Sequence, residues 1–334
     1  MWIELLALFV VYAGVYAMTG WWHRYALRKS LLDIPNHRSS HRIPTPSGGG
    51  IGFVSILTIC ALLGIWANYV VLFWLTMVAL PLAVVGWLDD VRSLSPRSRL
   101  YVQCVCVFAW TTYVYLESGR LHLGVWSVIF FAIAQIWFIN LYNLLDCIDG
   151  IAALLACSVS IAMLICLWAV GFAGHREVAY GWCALLVAML AFLTWNWPPA
   201  RVFMGDIGST WLGMVIGGLL LWSASQDARL WGAAFLLPVA FWLDASITLI
   251  RRARRGAVLS EAHRSHAYQH LAHRWSAHLP VSLIYAGITL VWALPWSLAV
   301  AWGSVSLAIA LMCCISPLAI FYWRLGAGVA PRGV

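Results

Sequence analysis

Long apolar runs alternate with short polar breaks along nearly the whole chain. At about 20 apolar residues per bilayer crossing, the pattern predicts eleven helices. Their limits are 2–22, 49–67, 69–88, 99–117, 124–143, 150–171, 179–197, 209–225, 230–250, 277–295 and 297–322. The weakest break is Leu294-Pro295-Trp296, between the last two. No repeat, coiled coil or low-complexity segment interrupts the series. The expected fold class is therefore all-α: a polytopic membrane helix bundle of about eleven transmembrane helices, forming one domain over 1–334.

Composition agrees. The 334 residues are 63% hydrophobic and 10% charged, against roughly 25% charged in soluble domains. The formal charge of +8 reads as topology and not as a nucleic-acid surface, because of where the cations fall. Loops 21–48, 89–99, 198–208 and 251–276 and the C-terminal tail hold seventeen of the twenty Lys and Arg. Only Arg120, Arg176 and Arg229 lie on the other side. The basic side is expected to be cytoplasmic. That puts the N-terminus in the periplasm and, with an odd number of spans, the C-terminus in the cytoplasm. The first run lacks a basic n-region and precedes Arg24, Arg28 and Lys29, so it reads as a retained span. The nine cysteines form no CxxC pair and read as small apolar residues.

Against this background the acids stand out, since a carboxylate inside a span costs about 2.5–3.5 kcal/mol. Asp89, Asp90, Asp146, Asp149 and Asp206 all fall at the basic ends of predicted spans, in "GWLDDVRS", "NLYNLLDCIDG" and "FMGDIGS". One such acid is ordinarily a solvated helix end; five on one face imply a site. Asn143, Asp146 and Asp149 are spaced to share a helical face. Asp89 and Asp90 are adjacent and cannot both face one point, so one binds while the other positions it, or the helix ends there. Carboxylates without a His/Cys cluster favour a hard cation, Mg²⁺ or Mn²⁺, which takes one or two of them and leaves room for phosphate oxygens.

Complementary groups lie on the same face. "DIPNHRSSHRIPTPSGGG" (33–50) offers glycines whose N–H groups can approach an anion, although a glycine triplet also serves simply to lead into a helix. "RRARRGAVLSEAHRSHAYQHLAHR" (251–274) offers Arg and His for diphosphate oxygens; its RRARR run also suits a stop-transfer anchor. Asp244, inside the ninth span, is expected to be packed and paired.

Five ordered blocks, "DIPNHRSSHRIPTPSGGG", "GWLDD", "NLYNLLDCIDG", "NWPPARVFMGD" and "AHRSH", span residues 33–275. Together they resemble the polyprenyl-phosphate N-acetylhexosamine-1-phosphate transferases of the glycosyltransferase family 4 type. The resemblance implies an Mg²⁺-dependent membrane enzyme, with Mn²⁺ as an alternative. It would transfer a sugar-1-phosphate from a UDP-N-acetylhexosamine to undecaprenyl phosphate, giving undecaprenyl-diphosphate-sugar and UMP. It implies Asp206 and Asp90 as metal-side acids, Asp89 near the attacking phosphate, and Asn143, Asp146 and Asp149 on the nucleotide side. Asn196 and Phe203 would line the uridine site, Arg42 would be a basic residue of the first loop, and His263, Arg264 and His266 the histidine motif. Two departures are Ser265, where a histidine is frequent, and Cys147, where glycine is common. Lacking a triple histidine, the chain looks more like the branch that initiates O-antigen, in lipopolysaccharide biosynthesis, than the peptidoglycan branch. The expected setting is the bacterial inner membrane, with the site on the cytoplasmic face. The expected partners are the two substrates and membrane lipid, with no nucleic acid; a homodimer is compatible with the resemblance. The alternative is a secondary transporter, whose acids should instead lie near the midplane and whose halves should repeat.

Overall fold

A computed structural model describes residues 2–35, 43–63, 69–118, 124–171, 175–258 and 264–329. These are all-α apart from a two-residue antiparallel ladder, Leu32–Asp33 with Thr45–Pro46. The helices are α1 Trp2–Arg28, α2 Ile51–Leu62, α3 Val70–Arg92, α4 Pro96–Ser118, α5 Val125–Leu145, α6 Ile151–Val170 and α7 Arg176–Asn196. They continue with α8 Asp206–Gln226, α9 Trp231–Leu236, α10 Val239–Arg254, α11 Ala267–Trp275, α12 Leu279–Gly287, α13 Leu294–Ala301 and α14 Leu307–Arg324.

Eight of the described helices are long and apolar enough to cross a membrane, counting residues 279–301 as one, and a bent pair adds a ninth. The other two expected runs correspond to α2, whose described part is 12 residues long, and to α4, which carries Gln103, Thr111 and Thr112 among its apolar residues.

Beyond shifts of a few residues at helix ends, three features differ from the sequence reading, each for a local reason. The ninth run is not one rod: α9 and α10 meet at Leu237-Pro238 with a bend of 56°, where proline cannot donate to the helix ladder. The break expected at Leu294-Pro295-Trp296 is absent. A π-helical segment, Ile288–Ala293, runs without interruption into α13, so Pro295 lies inside one continuous helix, where local π geometry accommodates the missing donor. The chain breaks instead at 302–306, where Gly303 takes φ +70° and the Ser306 side chain accepts from the Ile309 N–H. Finally, the 251–274 stretch is not wholly loop, since it contains the end of α10 and most of α11.

The core is built around α8, which is enclosed by neighbours along its length. Small residues make this feasible. A Cβ on Gly213 would stand 3.0 Å from the Ile139 Cα of α5, and one on Gly217 would strike the Gln135 amide.

Contacts divide the loops between two ends. At one, the Phe203 N–H donates to the Pro46 carbonyl, the Gly328 N–H to that of Ser265, and the Ala200 N–H to Asp149. At the other, Tyr69 and Arg176 bind Glu4, and Arg229 bridges Asp227 and the Val170 carbonyl. The predicted acid-bearing ends share the first.

Candidate active site

Asp89 and Asp90 sit on the last turn of α3, and their adjacency turns them apart. Asp90 reaches across to α8: Oδ1 accepts from the Asp206 N–H at 3.1 Å and Oδ2 from the Ile207 N–H at 3.4 Å. These donors open the helix and have no partner within it, so Asp90 caps α8 from another segment. Asp89 turns the other way, accepting from the Leu94 N–H at 2.6 Å and from Arg99 Nη1 at 2.6 Å. The division expected of adjacent acids is thus realised, with Asp90 as the cap. The two helices touch through Gly86, where a Cβ would lie 2.3 Å from the Asp206 carbonyl oxygen.

Capping sets where Asp206 stands. It is the first residue of α8, three residues earlier than the apolar pattern predicts, after Gly205 with φ +74°. The Asn143 amide donates at 2.8 Å both to Asp206 Oδ1 and to the Ser209 hydroxyl. Arg99 Nη1 lies 3.6 Å from Asp206 Oδ2. One arginine therefore stands between two carboxylates.

Asp146 and Asp149 do not share a helical face, because α5 ends at Leu145. Asp146 is the C-terminal cap position, half-buried. Burial first, and then the Asp206, Asp90 and Asp149 carboxylates, push its carboxyl well above the ordinary range. Asp149 faces a different neighbour: Oδ2 accepts from the Ala200 N–H at 3.0 Å and lies 3.2 Å from His278 Nδ1.

The remaining predicted residues divide. Asn196 is 2% exposed. It braces the chain, accepting from the Gly150 N–H at 3.1 Å and donating to the Val202 carbonyl at 2.9 Å. Phe203 is half-buried beside this brace, and its carbonyl accepts from the Gly49 N–H. Gly49 and Gly50 thus give their N–H groups to Phe203 and Met204, which replaces the anion-binding use expected of them with close packing. His266 is 2% exposed and serves as the N-cap of α11: its side chain accepts from the Gln269 N–H while the Gln269 side chain accepts from the His266 N–H. Burial, then Arg252 and His270, push it down to about 3, in keeping with a neutral ring acting as acceptor. Arg264 is half-buried, within electrostatic range of Cys147. Arg42 and His263 lie outside the described residues.

Sequence reasoning missed Arg99 and His278. Arg99 was counted as a topology signal. Its position in the first turn of α4, where the helix dipole disfavours a cation, was the available clue. His278 lies beyond the last motif and carries no signal of its own.

The cluster fits a divalent cation by its chemistry. Against Asp89, Asp90, Asp146 and Asp206 stands one close arginine, Arg99, which contacts Asp89 and Asp206, leaving an excess of hard carboxylate oxygens. Among the described residues there is no group of three or more His, Cys, Asp or Glu that could by itself hold a metal ion. A hard cation such as magnesium needs only one or two carboxylates and fills the rest of its shell with water and phosphate oxygens. Asp206 and Asp90 are the residues that would hold it.

Residues 69–224 match the family model for glycosyl transferase family 4. That stretch contains Asp89, Asp90, Asn143, Asp146, Asp149, Asn196, Phe203 and Asp206. A Bacillus subtilis (strain 168) protein named probable undecaprenyl-phosphate N-acetylglucosaminyl 1-phosphate transferase is 26% identical over 277 residues, covering 78% of this chain and 75% of its own. The Salmonella typhi undecaprenyl-phosphate alpha-N-acetylglucosaminyl 1-phosphate transferase is 29% identical over 273 residues, 75% and 71% of the two chains. The Thermotoga maritima protein of the same name is 29% identical over 189 residues, 57% and 56%.

Proposed function

Starting from the match of residues 69–224 to the glycosyl transferase family 4 model and from the likeness to proteins named undecaprenyl-phosphate N-acetylglucosaminyl 1-phosphate transferases, we propose that the chain transfers an N-acetylhexosamine-1-phosphate from a UDP-sugar to undecaprenyl phosphate. UMP is released, and the product begins a surface polysaccharide of the O-antigen type. The observation that carries this reading is the join between α3, α5 and α8 at one end of the bundle: Asp90 caps Asp206, and Asn143 holds its side chain. The same end carries most of the basic loops, which supports a site on the cytoplasmic face of the bacterial inner membrane. Clustering at one end also weighs against a transporter, whose site belongs near the midplane.

Phosphoryl transfer depends mainly on positioning and charge neutralisation. Bound magnesium would supply charge neutralisation at the donor diphosphate. The chain's part is orientation. Asn143 fixes Asp206, leaving Oδ2 toward Arg99 and the open side of the site. Arg99, the nearest cation, is placed to meet phosphate oxygens. Both Asp89 oxygens are already engaged by Leu94 and Arg99, so Asp89 acts by aiming Arg99. The acceptor phosphate is ionised at neutral pH and needs no base to attack the sugar-bearing phosphorus. Asp149 and Asn196 hold the 196–206 loop against the 146–150 turn, fixing Phe203 at the nucleotide end.

The test is to incubate the purified protein with undecaprenyl phosphate, Mg²⁺ and a panel of UDP-sugars, scoring UMP and lipid-linked sugar. Transfer of one UDP-sugar that stops on chelation, and is absent in a folded Asp206→Asn variant, is expected. No transfer with any of them, or full activity in Asp206→Asn, overturns the reading.

A further inference from the structure

Asp244 has no part in the proposed chemistry, yet it is only 1% exposed in the middle of α10. Its partners are amides and hydroxyls. Oδ1 accepts from the Ala267 N–H at 2.8 Å and from the Thr248 hydroxyl at 3.4 Å. Oδ2 accepts from the Tyr268 N–H at 3.2 Å and from the Tyr285 hydroxyl at 2.5 Å. Ala267 and Tyr268 are the first two residues of α11. The opening N–H groups of a helix lack internal partners, and a carboxylate there also meets the positive end of the dipole. Asp244 is thus a cap supplied by one helix to another, with Tyr285 of α12 closing the same knot.

A single residue connects this cap to the acid-bearing turn. The Tyr268 hydroxyl donates to the Leu144 carbonyl at 2.6 Å, two residues before Asp146, and lies in hydrogen-bonding range of the Cys147 thiol. Arg264 and Ser265 immediately precede the capped turn, and the Ser265 carbonyl is held by the Gly328 N–H at 2.7 Å. The first turn of α11 is therefore fixed from below by Asp244 and sideways to the 143–149 motif.

We infer that Asp244 is a positioning residue for the transfer: it sets the register of Tyr268 and Arg264 against the turn that carries Asp146 and Asp149. This rests on the reading above, in which that turn serves the nucleotide side. Removing the carboxylate leaves two helix amides and a tyrosine hydroxyl without their acceptor inside the protein, which is costly enough to open a local contact. Asp244 itself touches no substrate.

Two variants and two readouts test this. Asp244→Asn turns an amide NH₂ toward donors; Tyr285→Phe removes one donor and preserves the ring. Maleimide alkylation of Cys147, an exposed residue, is followed by mass spectrometry on the full-length protein. Donor and acceptor KM are measured alongside. In Asp244→Asn, alkylation of Cys147 is expected to accelerate about tenfold as Tyr268 disengages, the size of effect of one lost hydrogen bond to a charged group. Tyr285→Phe shows a smaller rise in the same direction. The donor KM rises about tenfold while that for undecaprenyl phosphate stays within about twofold, since only the nucleotide side is disturbed. Unchanged alkylation in the folded variants overturns the proposal, as do equal rises in both KM values. If Asp244→Asn does not fold, Tyr285→Phe decides. If the wild type turns over no UDP-sugar, the proposed reaction fails and the positioning role fails with it, while alkylation still decides whether Asp244 secures α11.

Discussion

Arg99 places Nη1 2.6 Å from Asp89 Oδ2 and 3.6 Å from Asp206 Oδ2. A cation held between two acids does two things. It shields them from each other, and it competes with any metal for the same oxygens. Arg99→Gln should therefore lower the magnesium concentration that gives half-maximal transfer, because the competing charge is gone. The maximal rate should fall by at least about tenfold, the scale of a lost charge-assisted contact. A magnesium titration of UMP release reads both. A higher magnesium requirement with an unchanged rate would contradict this account.

The approach of α3 to α8 has no slack at Gly86, where a Cβ would meet the Asp206 carbonyl oxygen at 2.3 Å, a backbone atom that cannot turn aside. Gly86→Ala must push the two helices apart and shift Asp206 with them. Overpacking of this kind costs about 1–3 kcal/mol, so the melting temperature in detergent should drop. Activity should fall far more than that loss of stability accounts for, because displacing a positioned group slows chemistry steeply. Gly124→Ala is a suitable comparison: a Cβ there meets nothing within 4 Å, although its φ of +63° adds strain. It should cost stability without a matching loss of rate.

Much of this site was legible from the sequence, because charge in an apolar chain needs a reason. Asp90 and Asp206 stand out that way and Asn143 by its spacing from Asp146 and by the family motif, and the structure brings the three together. The missed residues were hidden by ambiguity of context. Arg99 belongs to a loop where arginine is explained by membrane topology alone. His266 was found by its motif, but a ring used as a helix cap looks the same in sequence as a ring used on phosphate. Prolines misled in both directions. Pro238 breaks a run that reads as continuous, whereas Pro295, which reads as a break, lies within a continuous helix, as Pro81 and Pro317 do within runs that read as continuous. In a bundle, neighbouring helices and local π geometry can satisfy the groups that proline frees, and the sequence does not say where they will.

Asp90 has a capping role separable from any role toward a metal. Its two oxygens serve the Asp206 and Ile207 amides. Asp90→Ala removes both acceptors and should destabilise the protein by about 1–2 kcal/mol, as loss of an N-cap does. Asp90→Asn keeps one acceptor oxygen and should retain most of that stability. If Asp90 also serves the metal, transfer should be lost in both variants. Thermal melts beside activity assays separate the two roles. Equal melting temperatures for Asp90→Ala and the wild type would rule out the cap as a stabilising contact.

His266 makes α11 sensitive to acid. The buried ring accepts the Gln269 N–H, and its pKa lies at about 3, below the ordinary histidine value of 6.5. When α11 opens, the ring regains the ordinary value. Above about pH 6.5 both states are neutral and the cap contributes in full. As pH falls below that value, the open state takes up a proton that the closed state refuses. The closed state therefore loses up to about 1.4 kcal/mol per pH unit until the pH approaches 3. Amide exchange across residues 267–275 should consequently quicken between pH 6.5 and 5, after correction for the intrinsic exchange rate. His266→Asn supplies a strong capping residue that does not titrate. It should hold exchange in this helix nearly constant over the same range while matching the wild type at pH 8. An identical acid response in both proteins would place the proton elsewhere.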